Sequence, residues 1–168
     1  MTGVDPAAFR RTAGQFATGI VVIAVTVDGV AHAMTVSAFT SVSLDPVLVL
    51  VCVEKAARFH DALLATGTWA VSVLDEDSEK TARWLATRGR PLEGQLDGHP
   101  HHLGPATGAP ILDSALSAME CRTHAVHDGG DHTIVVGEVL AVTGPAATGD
   151  VRGPLIYHAG RYRRLRDA

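Results

Sequence analysis

Runs of β-branched apolar residues, broken by Gly, Asp and Pro, recur along the chain and read mainly as strands. Thr18 to Val27 is nearly continuous Val and Ile and stops at Asp28-Gly29, a dipeptide that closes hairpins. A second strand is predicted from Val30 to about Phe39. Leu44-Asp45-Pro46 then forms a turn, because Pro46 has no N–H for a ladder and can only begin a strand. Val47 to Val53 is apolar at every position, as expected of a strand buried on both faces or lining a closed barrel. Further strands are predicted at Trp69–Leu74, Leu116–Val126 and Thr133–Val142, the last two joined by the turn His127–His132. Pro154–Tyr157 and Arg161–Arg163 close the chain as a short hairpin around Gly160.

Helical signals are fewer. Asp5-Pro6 supplies an N-cap and a first-turn proline for a helix to about Gly14 that places Phe9 on the core. Arg58–Leu64 is a short helix ended by Thr66-Gly67. Asp75–Arg88 is a polar helix capped by Asp75 or Asp77, with Trp84-Leu85 on its buried side. Gly89–Pro110 loses all periodicity and is rich in Gly, Pro and His, a long loop of the kind that carries function or covers a site. Gly144–Gly153 is a second loop. No repeat and no interdomain linker interrupts the pattern, so residues 1–168 read as one domain. The expected fold class is mainly β: six or more antiparallel strands in a small barrel with a few short helices.

Composition narrows the class. Of the 168 residues, 46% are hydrophobic and 19% charged, which excludes disorder; aromatics are only 5%, so the core is built from Val and Ala. A net charge of −4 leaves no electrostatic footprint for nucleic acid, and the Arg161–Arg166 cluster reads as a solvated strand end. Cys52 and Cys121 lie far apart inside apolar runs and read as buried free thiols of a cytoplasmic protein. The first residues lack the apolar core of a signal peptide, and the longest apolar runs are strand-length, too short for a membrane helix.

The stretch from His32 to Asp61 carries the candidate chemistry. Small hydroxyl residues (Thr35, Ser37, Thr40, Ser41, Ser43) precede the apolar strand, and Lys55 and Arg58 follow it at a helix start. Small side chains let backbone N–H groups approach a ligand, and a cationic helix start suits a phosphate. The alternative is a Ser/Thr-rich loop joining two core strands. Neither G-x-G-x-x-G nor G-x-x-x-x-G-K-[ST] is present. His99, His101 and His102 cluster in the irregular loop without ligand spacing on a fixed element, so a solvated loop is favoured over a metal site. No glycine-framed serine elbow occurs, and Cys121 sits mid-strand, so a nucleophilic mechanism is disfavoured. Gly129-Gly130-Asp131-His132 allows positive φ and holds His132 at a strand start, where it can bond or stack on a ligand.

Taken in order, these elements resemble the short-chain flavin reductases, the reductase components of two-component flavin-dependent monooxygenases. The resemblance is carried by Phe16–Ile23, Met34-Thr-Val-Ser-Ala-Phe39, Ser41-Val-Ser-Leu-Asp-Pro46, Val53-Glu-Lys-Ala-Ala-Arg58, Trp69–Leu74 and Glu120-Cys121. Gly130-Asp-His132 with Gly137, then Pro154-Leu155, Tyr157, Gly160 and Tyr162, complete it. It implies a six-stranded Greek-key split barrel that dimerises, with flavin at the subunit boundary. Met34, Thr35, Val36, Ser37 and Ala38 would edge the isoalloxazine, with Ser41 in the same polar run. Cys52, Val53, Glu54, Lys55, Ala56, Arg58 and Phe59 would hold the ribityl phosphate. Asp131 and His132, with Tyr157, would place the nicotinamide, His132 being the candidate catalytic residue. The implied reaction is hydride transfer from NADH (or NADPH) to FMN or FAD, the reduced flavin passing to a partner monooxygenase. Glu54 and Ala56 depart from the neutral polar residue and the Ser of many relatives, which lowers phosphate affinity on paper. A flavin- or haem-binding split barrel without turnover is the alternative. A pyridoxamine-phosphate oxidase is disfavoured because no second basic phosphate cluster is present.

Overall fold

The computed structural model describes residues 3–144 and 152–165. The chain order is α1 (Pro6–Ala13), β1 (Thr18–Gly19), β2 (Val21–Val27), β3 (Val30–Val36), β4 (Phe39–Leu44) and β5 (Val47–Glu54). Then come α2 (Arg58–Thr66), β6 (Thr68–Val73), α3 (Glu79–Ala86), β7 (His101–Leu103) and β8 (Pro110–Leu112). β9 (Ser117–Gly129), β10 (His132–Thr143), β11 (Leu155–His158) and β12 (Arg161–Arg164) finish it. Strand pairings are antiparallel throughout, in a seven-stranded sheet ordered β3-β2-β6-β9-β10-β5-β4, a three-stranded sheet β1-β11-β12 and the pair β7-β8.

The connectivity requires the large sheet to roll up. β3 and β4 are its two outer strands, yet only Ser37 and Ala38 separate them in sequence. Such a link spans at most about 11 Å, whereas six strand spacings in a flat sheet cover about 29 Å. The rolled sheet remains open at this seam, for no ladder joins β3 to β4 among the described residues; the cylinder has seven strands where six were expected.

Burial follows the sheet's two faces. Val21, Ile23 and Val25 of β2 enter an inner core with Val51, Trp69, Val71 and Val135. The alternate residues Ile20, Val22 and Ala24 enter a second core with Leu74, Leu85 and Leu155, under α3 and the C-terminal hairpin. Burial on both sides is why this segment is apolar without alternation. β5, expected to be buried on both faces or to line a barrel, fits the second: Val49, Val51 and Val53 are buried, while Leu48, Leu50 and Cys52 on the other face are only half-buried.

Several local expectations are corrected. Phe9 lies 64% exposed and α1 buries no residue, because among the described residues its amphipathic face has no partner. The first strand switches sheets at Ile20, β1 pairing with β11 while β2 enters the rolled sheet. The second breaks at Ser37-Ala38, so the Ser/Thr run is divided, Thr35 lying in β3 and Thr40, Ser41 and Ser43 in β4, with only Ser37 between strands. The polar helix begins only after Ser78: Asp75 is buried, accepting from Ser78 Oγ at 2.6 Å and from Arg152, and so cannot cap it. Trp84 is partly exposed, its indole N–H donating to the Gln95 carbonyl at 2.7 Å. The irregular loop contains β7 and β8, and the turn after β9 shrinks to Gly130-Asp131. Of the loop expected at Gly144–Gly153, residues 145–151 lie outside the described residues.

Candidate functional site

Strand β3 is the scaffold. On one face Met34 packs into the inner core with Phe59 and Leu63 of α2. On the other, Ala33 packs with Ala82 and Leu85 of α3, and Thr35 Oγ1 donates to the Ala82 carbonyl at 2.8 Å. The free edge of β3 is covered by side chains of the segment after α3. Gln95 Nε2 donates to the Ala31 carbonyl at 2.5 Å, its Oε1 accepts from Ala33 N–H at 3.3 Å, and the Arg90 guanidinium donates to the Ala33 carbonyl. A side-chain amide thus takes the place of a neighbouring strand, satisfying edge groups that would otherwise be open.

A cleft of about 430 Å³ opens between this segment, the end of β5 and the start of α2. Met34 and Thr35 line it with Glu54, Ala56, Arg58 and Phe59, and Arg88, Arg90 and Gln95 form the facing wall. Arg58 Nη1 donates to the Arg90 carbonyl at 3.1 Å, tying the two walls together. Glu54 accepts from Arg88 Nη2 at 2.5 Å, so the lone carboxylate of the lining is neutralised by the opposite wall. The N-cap of α2, Ala57, makes no side-chain capping bond, leaving N–H groups at the helix start available. His32 Nδ1 and Arg90 Nε are buried and have no hydrogen-bond partner, and both residues line this cleft. Burial, then the nearby Arg58 charge, holds the His32 imidazole below the ordinary histidine range; the same two causes lower Arg90. Burial together with the Arg58 charge disfavours the charged form of both groups, and an anion beside them would favour it.

A second cleft, about 440 Å³, adjoins the first, since Thr35, Ala86 and Thr87 line both. Ser37, Tyr157 and Tyr162 complete it. The two tyrosine rings meet edge-on, 5.3 Å apart at 64°, and Arg83 lies over Tyr162, 4.8 Å from its centroid. Flat aromatic faces beside a cation suit a planar ring bearing phosphate.

The residues singled out from the sequence therefore divide. Met34, Thr35, Glu54, Ala56, Arg58 and Phe59 share the first cleft; Ser37 and Tyr157 are in the second. Val36 and Val53 are buried in the inner core and line neither cleft. The Ala38 carbonyl accepts from Cys52 N–H at 3.0 Å, and Ser41 is an exposed residue of β4. Cys52 is half-buried, not buried as expected, and burial raises its thiol pKa. Lys55 pairs with Asp128, whose carboxyl that hydrogen bond holds below the usual range, and its N–H donates to the Asp131 carbonyl at 2.9 Å. His132 stands opposite Glu54 in the ladder and donates through Nδ1 to Asp131 Oδ1 at 2.7 Å. The Gly-Asp-His turn is thus fastened to the end of β5 beside the first cleft, without lining it. Among the described residues no three His, Cys, Asp or Glu side chains converge on one point.

His32, Arg88, Arg90 and Gln95 were missed. Their one signal was position: His32 opens the candidate stretch, Arg88 ends a predicted helix, and Arg90 and Gln95 lie in the stretch read as a covering loop.

The Flavin reductase like domain model matches residues 13–166. The NADH-dependent FAD reductase of Streptomyces globisporus is 44% identical over 164 residues, covering 96% of this chain and 86% of that protein. The reductase component of 4-hydroxyphenylacetate 3-monooxygenase from Thermus thermophilus is 36% identical over 158 residues, covering 94% and 95%. Among solved structures, BorF, the flavin reductase component of a bacterial two-component tryptophan halogenase, superposes with a TM-score of 0.88 at 42% identity, covering 98% of this chain and 100% of that one. The chain belongs to the family of flavin reductase like domains.

Proposed function

We propose that this protein is an NADH-dependent flavin reductase, a single cytoplasmic domain that reduces FMN or FAD and passes the product to a partner monooxygenase. The observation that carries this reading is the convergence of Met34 and Thr35 with Glu54, Ala56, Arg58 and Phe59 in one cleft, facing Arg88 and Arg90. Relatives named as NADH-dependent FAD and FMN reductases support the reaction, and reductase components of two-component enzymes support the partner. No helix among the described residues is long and apolar enough to cross a membrane.

The residues present fit a phosphate-bearing flavin. His32 and Arg90, each with a buried side-chain nitrogen that has no partner, line a cleft whose lone lining carboxylate is already paired. When bound, the flavin supplies the ring that accepts a hydride from NADH; the chain holds and aligns the two partners. Arg58 and Arg90 neutralise phosphate with fixed donors. Backbone N–H groups from Val36 to Ala38, with the hydroxyls of Thr35 and Ser37, stabilise negative charge at the ring edge. Tyr157 offers a flat surface for the nicotinamide, and His132 positions it from the adjoining turn. A homodimer belongs to the same reading, since Phe9, Phe16, Leu44 and Val142 are exposed in one chain and a second copy would cover them.

The test is NADH oxidation, followed by nicotinamide absorbance, with purified protein and added FMN or FAD. Turnover that depends on added flavin is the expected result. Flavin binding without NADH consumption would instead establish the carrier alternative.

A further inference from the structure

We propose that His32 is a phosphate-binding residue of the first cleft, whose imidazolium donates to the flavin phosphate and takes up a proton from solvent as the flavin binds. This rests on the flavin reading above.

His32 stands on β3, two residues before Met34 and therefore on the same face of the strand. Its ring lines the cleft together with Arg58 of α2, Glu54 of β5, and Arg88 and Arg90 of the covering segment. Those four are the charged groups that face it from the elements packed around the cleft, and their sum is two positive charges, three arginines against one glutamate. Glu54 is held by Arg88, so it does not offset the field of Arg58 at the imidazole. His32 Nδ1 is buried without a partner, and buried polar atoms in folded proteins are nearly always bonded. The atom sharing this condition in the same cleft is Arg90 Nε. An anionic group bound in the cleft would bring acceptors to the side that both residues line.

The sign of the proton linkage follows from the same arrangement. In the free protein, burial and Arg58 disfavour the charged imidazole, so His32 is neutral near pH 7.5. A phosphate beside Arg58 reverses the electrostatic cause, and the bound imidazole gains a proton and a charge-assisted bond. Between the free and bound pKa values, binding therefore takes up protons and tightens as pH falls.

The probes are FMN and riboflavin, which share the ring and differ by the phosphate. Calorimetric titrations at pH 7.5, in two buffers of different ionisation enthalpy, give the protons taken up per flavin. The wild-type protein should take up a substantial fraction of a proton with FMN and none with riboflavin, a comparison that needs no substitution. His32→Gln should abolish the uptake and weaken FMN about tenfold, leaving riboflavin within about twofold. Binding of both flavins with no phosphate-dependent uptake, or equal weakening of both by His32→Gln, would overturn the role of His32 and leave the flavin reading standing. Failure of both flavins to bind would overturn both readings.

Discussion

Gly137 lies against the indole of Trp69, and a Cβ added to it would sit 2.3 Å from Trp69 Cζ2. Trp69 is fully buried, and Gly137 pairs with Val49 on one side and Thr123 on the other, beside a register shift in β9–β10. Neither the rigid ring nor the paired backbone can give way. Gly137→Ala is expected to destabilise the fold by about 1–3 kcal/mol through overpacking. Chemical denaturation should show the midpoint falling with the slope unchanged.

Glu54 and Arg88 face each other across the cleft, and their pairing predicts a coupled response. Glu54→Gln removes the carboxylate beside the proposed phosphate position and should tighten FMN about two- to fivefold. Arg88→Ala leaves that carboxylate unneutralised and should weaken FMN by a similar factor. The effects are modest because Arg88 is exposed and the pair is screened. The double variant should return close to wild type. Fluorescence titration checks this, and the differences should shrink at high salt.

The strands were legible because β-branched runs and Asp-Gly or Gly-Asp punctuation mark them locally. What escaped depended on contacts distant in sequence. Nothing in Thr35–Phe39 marks the break at Ser37-Ala38, for it contains no Gly or Pro; the break exists because β3 and β4 close opposite edges of one sheet. The amphipathic pattern around Phe9 marks a face but not its partner, so an exposed residue was assigned to the core. At the site, Lys55 and Arg58 were visible as a cationic helix start. Arg90 and Gln95 were not, because their roles come from covering β3, a strand some 60 residues earlier (62 from Ala33 to Gln95).

Cys121 gives a pH prediction. Burial, reinforced by the Glu120 carboxylate, pushes its thiol up from 9.0 to about 12. A raised folded-state pKa means that its stabilising contribution is complete below pH 9 and lost as pH rises towards 12, where only the unfolded chain releases the proton. Stability should therefore fall by about 1.4 kcal/mol per pH unit across that window. Cys121→Ser should lack this component of the slope. In native protein near pH 8, thiol reagents should modify half-buried Cys52 and spare Cys121.

His132 separates nicotinamide placement from flavin binding. Its backbone is fixed by the ladder to Glu54 and its ring is oriented by Asp131, yet it does not line the cleft that holds Arg58 and Arg90. On the proposed reading, a side chain so placed would act on the nicotinamide and not on the flavin. His132→Ala should raise the KM for NADH about tenfold, the loss of one well-placed bond, with FMN affinity within about twofold. Loss of flavin affinity without a change in NADH kinetics would reverse the assignment and put His132 on the flavin side. The outcome is read from steady-state NADH kinetics at saturating flavin, with a separate titration of FMN. Asp131→Asn, which keeps the turn but weakens the orienting carboxylate, should show a smaller rise in the same KM, because the imidazole loses its orientation and not its presence.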